Sequence, residues 1–357
     1  MAYITLNKTK LKHNFNLLQT LFDNEGITWA VVGKLLCGNS LFLEQVLALK
    51  PKQICDSRVS NLKSIKLIDP TIETIYIKPA PNGSIDEIVE YADISFNTEL
   101  ETIKLLSQEA VRQNKRHKII IMVELGELRE GVLREDLISF YEKVFSLPHI
   151  EIIGLGTNLT CMYGILPNND KLIQLSLYKE VLELKFDKKL PLISGGASVT
   201  IPLITNNQLP KAINHFRIGE TLFMGTNAYD GSQYDEYEQN IFKLHAEIIE
   251  LHEKPMMPSG ETGINMTGEK IAFDPAWEHV TKFRAIIDLG LLDIDMEHFF
   301  PVNPKHQLVG SSSDMMVIDL DANPEQLKVG DTISFHMDYM GILRLMNSDY
   351  VEKKVIE

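Results

Sequence analysis

The chain has 357 residues, long for a single domain, and its 44% apolar and 24% charged content is that of an ordinary globular protein. A formal net charge of −14 argues against nucleic acid or an anionic membrane as partner, because both need a basic surface. No run approaches the roughly 18 apolar residues of a membrane span, and residues 1–7 lack the basic-then-apolar order of a secretion signal.

Residues 3–6 read as a strand and 7–22 as a helix. From 29 to about 225, short apolar runs alternate with longer amphipathic ones. Strands are predicted at 29–33, 53–56, 74–77, 92–96, 119–124, 152–157, 191–194 and 216–219. Helices are predicted at 40–49, 57–68, 84–91, 98–113, 135–146, 170–186 and 198–207, with Asn97-Thr98-Glu99 and Asn169-Asp170 as start signals. Eight strands alternating with helices predict an α/β fold, a (β/α)8 TIM barrel over residues 8–228; a miscounted strand would leave a doubly wound sheet. Residues 229–238 are polar and turn-rich and read as a linker. Beyond them, short runs at 241–251, 283–289, 308–309, 315–320, 332–335 and 350–355 are punctuated by Gly, Pro, Asn and Asp. They predict a C-terminal all-β domain over 240–357, into which the strand at 1–7 pairs. The three cysteines, Cys37, Cys55 and Cys161, are widely spaced and form no CxxC pair. That fits a reducing cytoplasm, with no structural disulfide and no metal site.

Trp29-Ala30-Val31-Val32-Gly33-Lys34 is an apolar strand ending in a lysine, followed by Leu35-Leu36-Cys37-Gly38-Asn39. Desolvation there favours a neutral, nucleophilic amine suited to a carbonyl cofactor. Alone, the stretch also fits a lysine that snorkels to solvent. A (β/α)8 barrel gathers its chemistry at the C-terminal ends of its strands, with a phosphate site after the seventh and eighth. There the sequence places Lys34, Gly126-Glu127-Leu128-Arg129-Glu130-Gly131, Thr157-Asn158, Ser194-Gly195-Gly196-Ala197-Ser198 and Arg217-Ile218-Gly219-Glu220. Glycine amides opening a helix suit a phosphate. A lysine and a phosphate cradle in one mouth suggest pyridoxal 5'-phosphate.

Through VVGKLLCGN, DSRVSNL, VELGELREG, GTNLTC, SGGAS, FRIGE, SSDMMVIDL and NSDYVEK, the chain resembles the alanine-racemase-type (fold-type III) enzymes, and most closely their ornithine/alanine racemase subgroup. The resemblance implies a pyridoxal-phosphate-dependent racemase of a free amino acid (ornithine, lysine or alanine), built as a head-to-tail homodimer. It makes Lys34 the lysine that holds the cofactor and moves the Cα proton. Arg129 falls where an arginine contacts the cofactor's phenolic oxygen, and Asn158 where alanine racemases carry a histidine beside the ring. Ser194, Gly195, Gly219 and Glu220 fall at the phosphate, and Tyr350 at a C-terminal tyrosine near the cofactor. Arg217 matches the arginine facing the ring nitrogen. A guanidinium has no lone pair, so it keeps that nitrogen unprotonated and weakens the electron sink, favouring racemisation over transamination.

Two positions depart from the family pattern. Gly38 stands where a phosphate-binding tyrosine is expected. Glu261, in Pro258-Ser259-Gly260-Glu261-Thr262-Gly263, stands where the partner subunit's second catalytic base, a tyrosine, is expected. Glu261 then supplies that acid, binds a diamine's distal ammonium, or is a solvated loop carboxylate. Asp314, in Ser311-Ser312-Ser313-Asp314, contacts the substrate or closes a polar turn. Competing readings are a non-enzymatic cofactor-binding protein, against which residues 240–357 argue, and a decarboxylase or aldolase of the same architecture.

Overall fold

The computed structural model describes residues 1–265, 268 and 270–357. The chain divides into two compact units, one formed by Met1–Lys8 with Asn240–Glu357 and the other by Thr9–Gln239.

Strand β1 (Tyr3–Asn7) leads into helix α1 (Lys8–Glu25). The second unit is a closed parallel barrel of β2 (Thr28–Val32), β3 (Gln53–Asp56), β4 (Glu73–Tyr76), β5 (Ile94–Asn97), β6 (His117–Met122), β7 (Ile150–Gly156), β8 (Leu192–Ala197) and β9 (His215–Ile218). Its helices are α2 (Ser40–Leu47), α3 (Val59–Ile68), α4 (Ile85–Tyr91), α5 (Leu100–Arg112), α6 (Leu137–Phe145), α7 (Asn169–Phe186), α8 (Ile201–Thr205) and α9 (Glu220–Met224). The barrel is therefore the predicted (β/α)8 fold. Its strands are short and apolar because parallel strands are covered on both faces. Ala30, Val32, Cys55, Ile75, Ile94, Phe96, Ile120, Met122 and Ile153 form one buried cluster.

Local details differ from the sequence reading. Helix α7 is capped by Asn168, whose side chain accepts from the Lys171 N–H. Helix α5 follows Glu99 without a side-chain cap. The span read as one helix at 198–207 is a 3-10 turn, Ser198–Thr200, running into α8. Residues 229–238 are not a free linker. Asn14 of α1 is wholly buried; its amide donates to the Leu222 and Glu238 carbonyls, and its oxygen accepts from the Glu238 N–H. Lys10 pairs with the Glu238 carboxylate at 2.9 Å, and Tyr237 is buried. The ring of Phe22 meets Trp29 and Phe216, which fixes α1 on the barrel strands.

The other unit is a mainly antiparallel sheet of β10 (Phe242–Pro255), β11 (Thr281–Ile287), β12 (Phe299–Pro301), β13 (Gln307–Ser311), β14 (Met316–Asp319) and β15 (Thr332–Met337). After it come helix α10 (Tyr339–Asn347) and strand β16 (Glu352–Ile356). Strand β1 lies between β10, antiparallel, and β16, parallel. Helix α10 and strand β12 escaped the sequence reading. Gly341 interrupts the helical pattern, yet a side chain there would meet the His298 carbonyl at 2.4 Å, so it is a packing glycine.

Candidate active site

At the C-terminal ends of the barrel strands is a cavity of about 430 Å³, lined by Lys34, Arg129, Asn158, Cys161, Arg217 and seven others that include Lys78, Phe96 and Glu130. Four residues singled out in the sequence thus share one wall.

Lys34 stands just past β2, on the 3-10 turn Gly33–Leu36, and its side chain is exposed. The burial expected from its apolar strand is absent. Beneath it is a compact polar knot. Asp56 is fully buried; its Oδ1 accepts from the Arg58 N–H at 2.9 Å and from Asn61 Nδ2 at 3.1 Å, while its Oδ2 has no partner. Burial pushes the Asp56 carboxyl up to about 6, against those bonds and the Lys34 charge. Gly38 has φ +75°, and a side chain there would meet Asn61 Oδ1 at 2.7 Å. The tyrosine expected at that position is excluded by the residue that holds Asp56.

Arg217 is 6% exposed. Its Nη1 donates to the Ser194 carbonyl at 2.9 Å and to Ser194 Oγ, its Nη2 to the Thr157 carbonyl at 2.8 Å, and its guanidinium lies 5.2 Å over the Phe96 ring. Among the described residues it makes no ion pair. Burial pushes its pKa down, but from a value so high that it stays charged.

Ser194 corrects the sequence reading. Its hydroxyl is fully buried and occupied by Arg217 and His215, so it is not presented to a phosphate. Ser198, at the end of the same run, has its Oγ accepting from the Thr221 N–H at 3.2 Å, beside the start of α9. Sequence reasoning passed over it, although it closes the same SGGAS run. Gly219 precedes α9, and a side chain on it would crowd Val32 at 3.0 Å. Gly195 is buried against Ile213 and Leu172, so its part is backbone packing. Partial burial raises the pKa of Glu220, and the Lys34 charge opposes it.

Arg129 reaches the cavity from a tightly folded loop. Gly131, at φ +152°, sits where a side chain would strike the Glu124 backbone nitrogen at 2.3 Å. Arg129 pairs two-pronged with Glu130. Glu127 does not pair with Arg129. It is 1% exposed and accepts from the backbone N–H groups of Met162, Tyr163 and Ile165. Burial raises its pKa, but those donors prevail and hold it below the ordinary carboxylate value. Glu127 therefore pins the loop that carries Cys161, a role invisible in its sequence neighbourhood. Asn158 Nδ2 is buried without a partner, and Cys161 Sγ lies 3.7 Å from Asn158 Oδ1.

The remaining predicted residues belong to the other unit. Glu261 is exposed. Asp314 is exposed, and its Oδ1 accepts from the hydroxyls of Ser312 and Ser313. Tyr350 is 82% exposed and precedes β16 rather than opening it. Within their own unit these three share no site.

The family description "Alanine racemase, N-terminal domain" matches residues 6–227. Over 354 residues the chain is 35% identical to the ornithine racemase of Acetoanaerobium sticklandii, covering 99% of each. It is 29% identical to the lysine racemase of Thermotoga maritima, covering 98% of this chain and 97% of that one. The solved alanine racemase of Clostridium difficile 630 is similar in fold, with a TM-score of 0.77 at 14% identity over 100% of this chain and 96% of that one. No helix among the described residues is long and apolar enough to cross a membrane.

Proposed function

The chain belongs to the alanine racemase family, and from that premise we propose that it racemises a free amino acid, ornithine before lysine or alanine, with pyridoxal 5'-phosphate held on Lys34. The observation that carries this reading is the meeting of Lys34, Arg129, Asn158 and Arg217 around one cavity. The donor set fits the group. Lys34 offers an exposed primary amine, and Arg217 a fixed cation for the ring nitrogen. Arg129 suits the phenolic oxygen, and the unpartnered Asn158 Nδ2 is an orphan donor at the same wall. Ser198 with the amides of Gly219 and Glu220 suits the phosphate. Tyr350 is assigned beside the cofactor by family resemblance.

When bound, the cofactor supplies an electron sink that acidifies the substrate's Cα–H. Lys34 removes or returns the proton on one face of Cα. Inversion needs an acid on the other face, a role we give to Glu261 of the partner subunit in a head-to-tail homodimer, with Asp314 contacting the substrate. Arg217, fixed on three sides, keeps its charge and orientation throughout the proton transfers. The preference for ornithine rests on the 35% identical relative and on a carboxylate at residue 261 suited to a second ammonium.

Incubating L-ornithine, L-lysine and L-alanine in deuterated water, followed by chiral chromatography, tests the activity. The expected result is D-ornithine carrying one deuterium at Cα. Purified protein should show the visible absorption of lysine-bound pyridoxal, lost in Lys34→Ala and kept in Lys78→Ala. Retention of that absorption in Lys34→Ala would overturn the assignment.

A further inference from the structure

Arg217 is a buried cation without an ion pair among the described residues, yet buried charges ordinarily need compensation. A chain of side chains leads away from it. Ser194 Oγ lies 2.7 Å from His215 Nδ1, His215 Nε2 lies 3.0 Å from Gln53 Oε1, and Gln53 Nε2 donates to Glu73 Oε2 at 2.6 Å. Ser194 and His215 are wholly buried, and Gln53 is 6% exposed. Gln53, Glu73 and His215 each open their strand, so the chain descends to the N-terminal end of the barrel. Lys118 of β6 reaches Glu73 of β4 past the intervening β5, at 3.2 Å.

The direction of the hydrogens in this chain is fixed from its carboxylate end. Arg217 can only donate, so the Ser194 hydroxyl accepts from it and keeps its own hydrogen and a second lone pair for His215 Nδ1. At the far end a carboxylate can only accept, so the Gln53 amide nitrogen faces Glu73 and its oxygen faces His215. His215 must then carry its hydrogen on Nε2. Its bare Nδ1 then accepts the Ser194 hydrogen, so the carboxylate end sets the tautomer and the guanidinium end accommodates it.

We propose that Gln53 and His215 are positioning residues for Arg217, joining it through Ser194 to Glu73 by a one-way hydrogen-bond chain. The chain turns the Ser194 hydrogen away from the guanidinium and carries the polarity of a carboxylate to a cation that forms no ion pair among the described residues. Three of the five Arg217 N–H donors are engaged in the wall, and two remain for the cavity. Burial and the Arg217 charge push the His215 pKa down to about 3, which keeps the ring neutral as the chain requires. The consequence for the reaction rests on the racemase reading; the hydrogen-bond order does not.

The first test is nitrogen NMR of the histidine-labelled full chain without added cofactor. His215 should show an unprotonated Nδ1 and a protonated Nε2, without titration between about pH 5 and pH 8. The opposite tautomer, or titration in that range, would overturn the proposal. The second test compares Gln53→Met with His215→Gln, which can still accept from Ser194 and donate to Gln53. Gln53→Met should keep cofactor uptake on Lys34 but shift its absorption and raise the ratio of transamination to racemisation by about tenfold, the size expected for one hydrogen bond to a charged group. His215→Gln should restore most of that ratio. An unchanged spectrum and ratio in a folded Gln53→Met protein would sink the positioning role. Failure of the native protein to take up cofactor would instead sink the racemase reading, with the tautomer result still standing.

Discussion

Arg217 and Asp314 show two ways in which this chain holds a charge. Arg217 is fixed by the Ser194 and Thr157 carbonyls, the Ser194 hydroxyl and the Phe96 ring, all supplied by barrel strands or their ends. Asp314 is exposed, and among the described residues its side chain accepts from two serine hydroxyls of its own turn. Glu261 and Tyr350 resemble Asp314 in this respect. The barrel thus fixes Arg217 with groups of its own. Residues assigned to the β unit are oriented by little of their own surroundings, as suits groups whose role depends on a second surface.

That contrast can be broken or sharpened by experiment. The largest effect should come from Lys34→Ala, with racemisation falling by about 10²–10⁴-fold as expected for a lost general base, while Lys78→Ala stays within a few-fold. Comparable losses in both would deprive Lys34 of its special place. If the site is shared between subunits, mixing inactive Lys34→Ala with inactive Glu261→Gln should restore about a quarter of the native rate, since half the dimers then hold one intact site. No recovery after subunit exchange, verified by mass spectrometry, would confine the site to one chain.

Replacing Glu127 by Ala strands three backbone donors, so melting should register a loss of about 3–5 kcal/mol, with amide exchange rising first over residues 160–165. Uniform exchange would deny Glu127 its local role. Asp56 gives a signed pH effect. Its folded pKa of about 6 exceeds the ordinary 3.8, so below pH 6 the folded state holds a proton that the unfolded state lacks. The native protein should gain up to about 3 kcal/mol relative to Asp56→Asn as the pH falls from 7 toward 4, and lose it again on the way back. Parallel denaturation curves for the two proteins would contradict this. The smallest effect belongs to Tyr350→Phe, whose stability should stay within about 0.5 kcal/mol of native, whatever happens to its rate.

The barrel was legible because parallel strands covered on both faces read as unbroken apolar runs between Gly- and Asn-marked turns. Strand ends moved by one to three residues, since hydrogen-bond register rather than composition sets them. The convergence of Lys34, Arg129, Asn158 and Arg217 was also legible, because a closed barrel collects the residues that follow its strands. Long-range polar partners were not legible. Gln53 and His215 are 162 residues apart and meet across the barrel from the two strands that flank β2. Ser194 and Ser198 were indistinguishable as hydroxyls; strand register turns one toward the barrel interior and the other toward α9. Glu127 carried no sign of its role, since nothing local reveals that a later loop delivers three amides to it.

Strand β1 has a consequence for how the molecule is made. It precedes the whole barrel in the chain, yet its two neighbours in the sheet are β10 and β16, both of which follow the barrel. During translation the barrel segment can close as soon as it leaves the ribosome, with the Asn14 clasp joining its beginning to its end. Residues 3–7 find their first partner only when β10 has emerged and their second only with β16. A bulky fusion at the amino terminus would therefore burden the last-formed sheet and leave the barrel untouched.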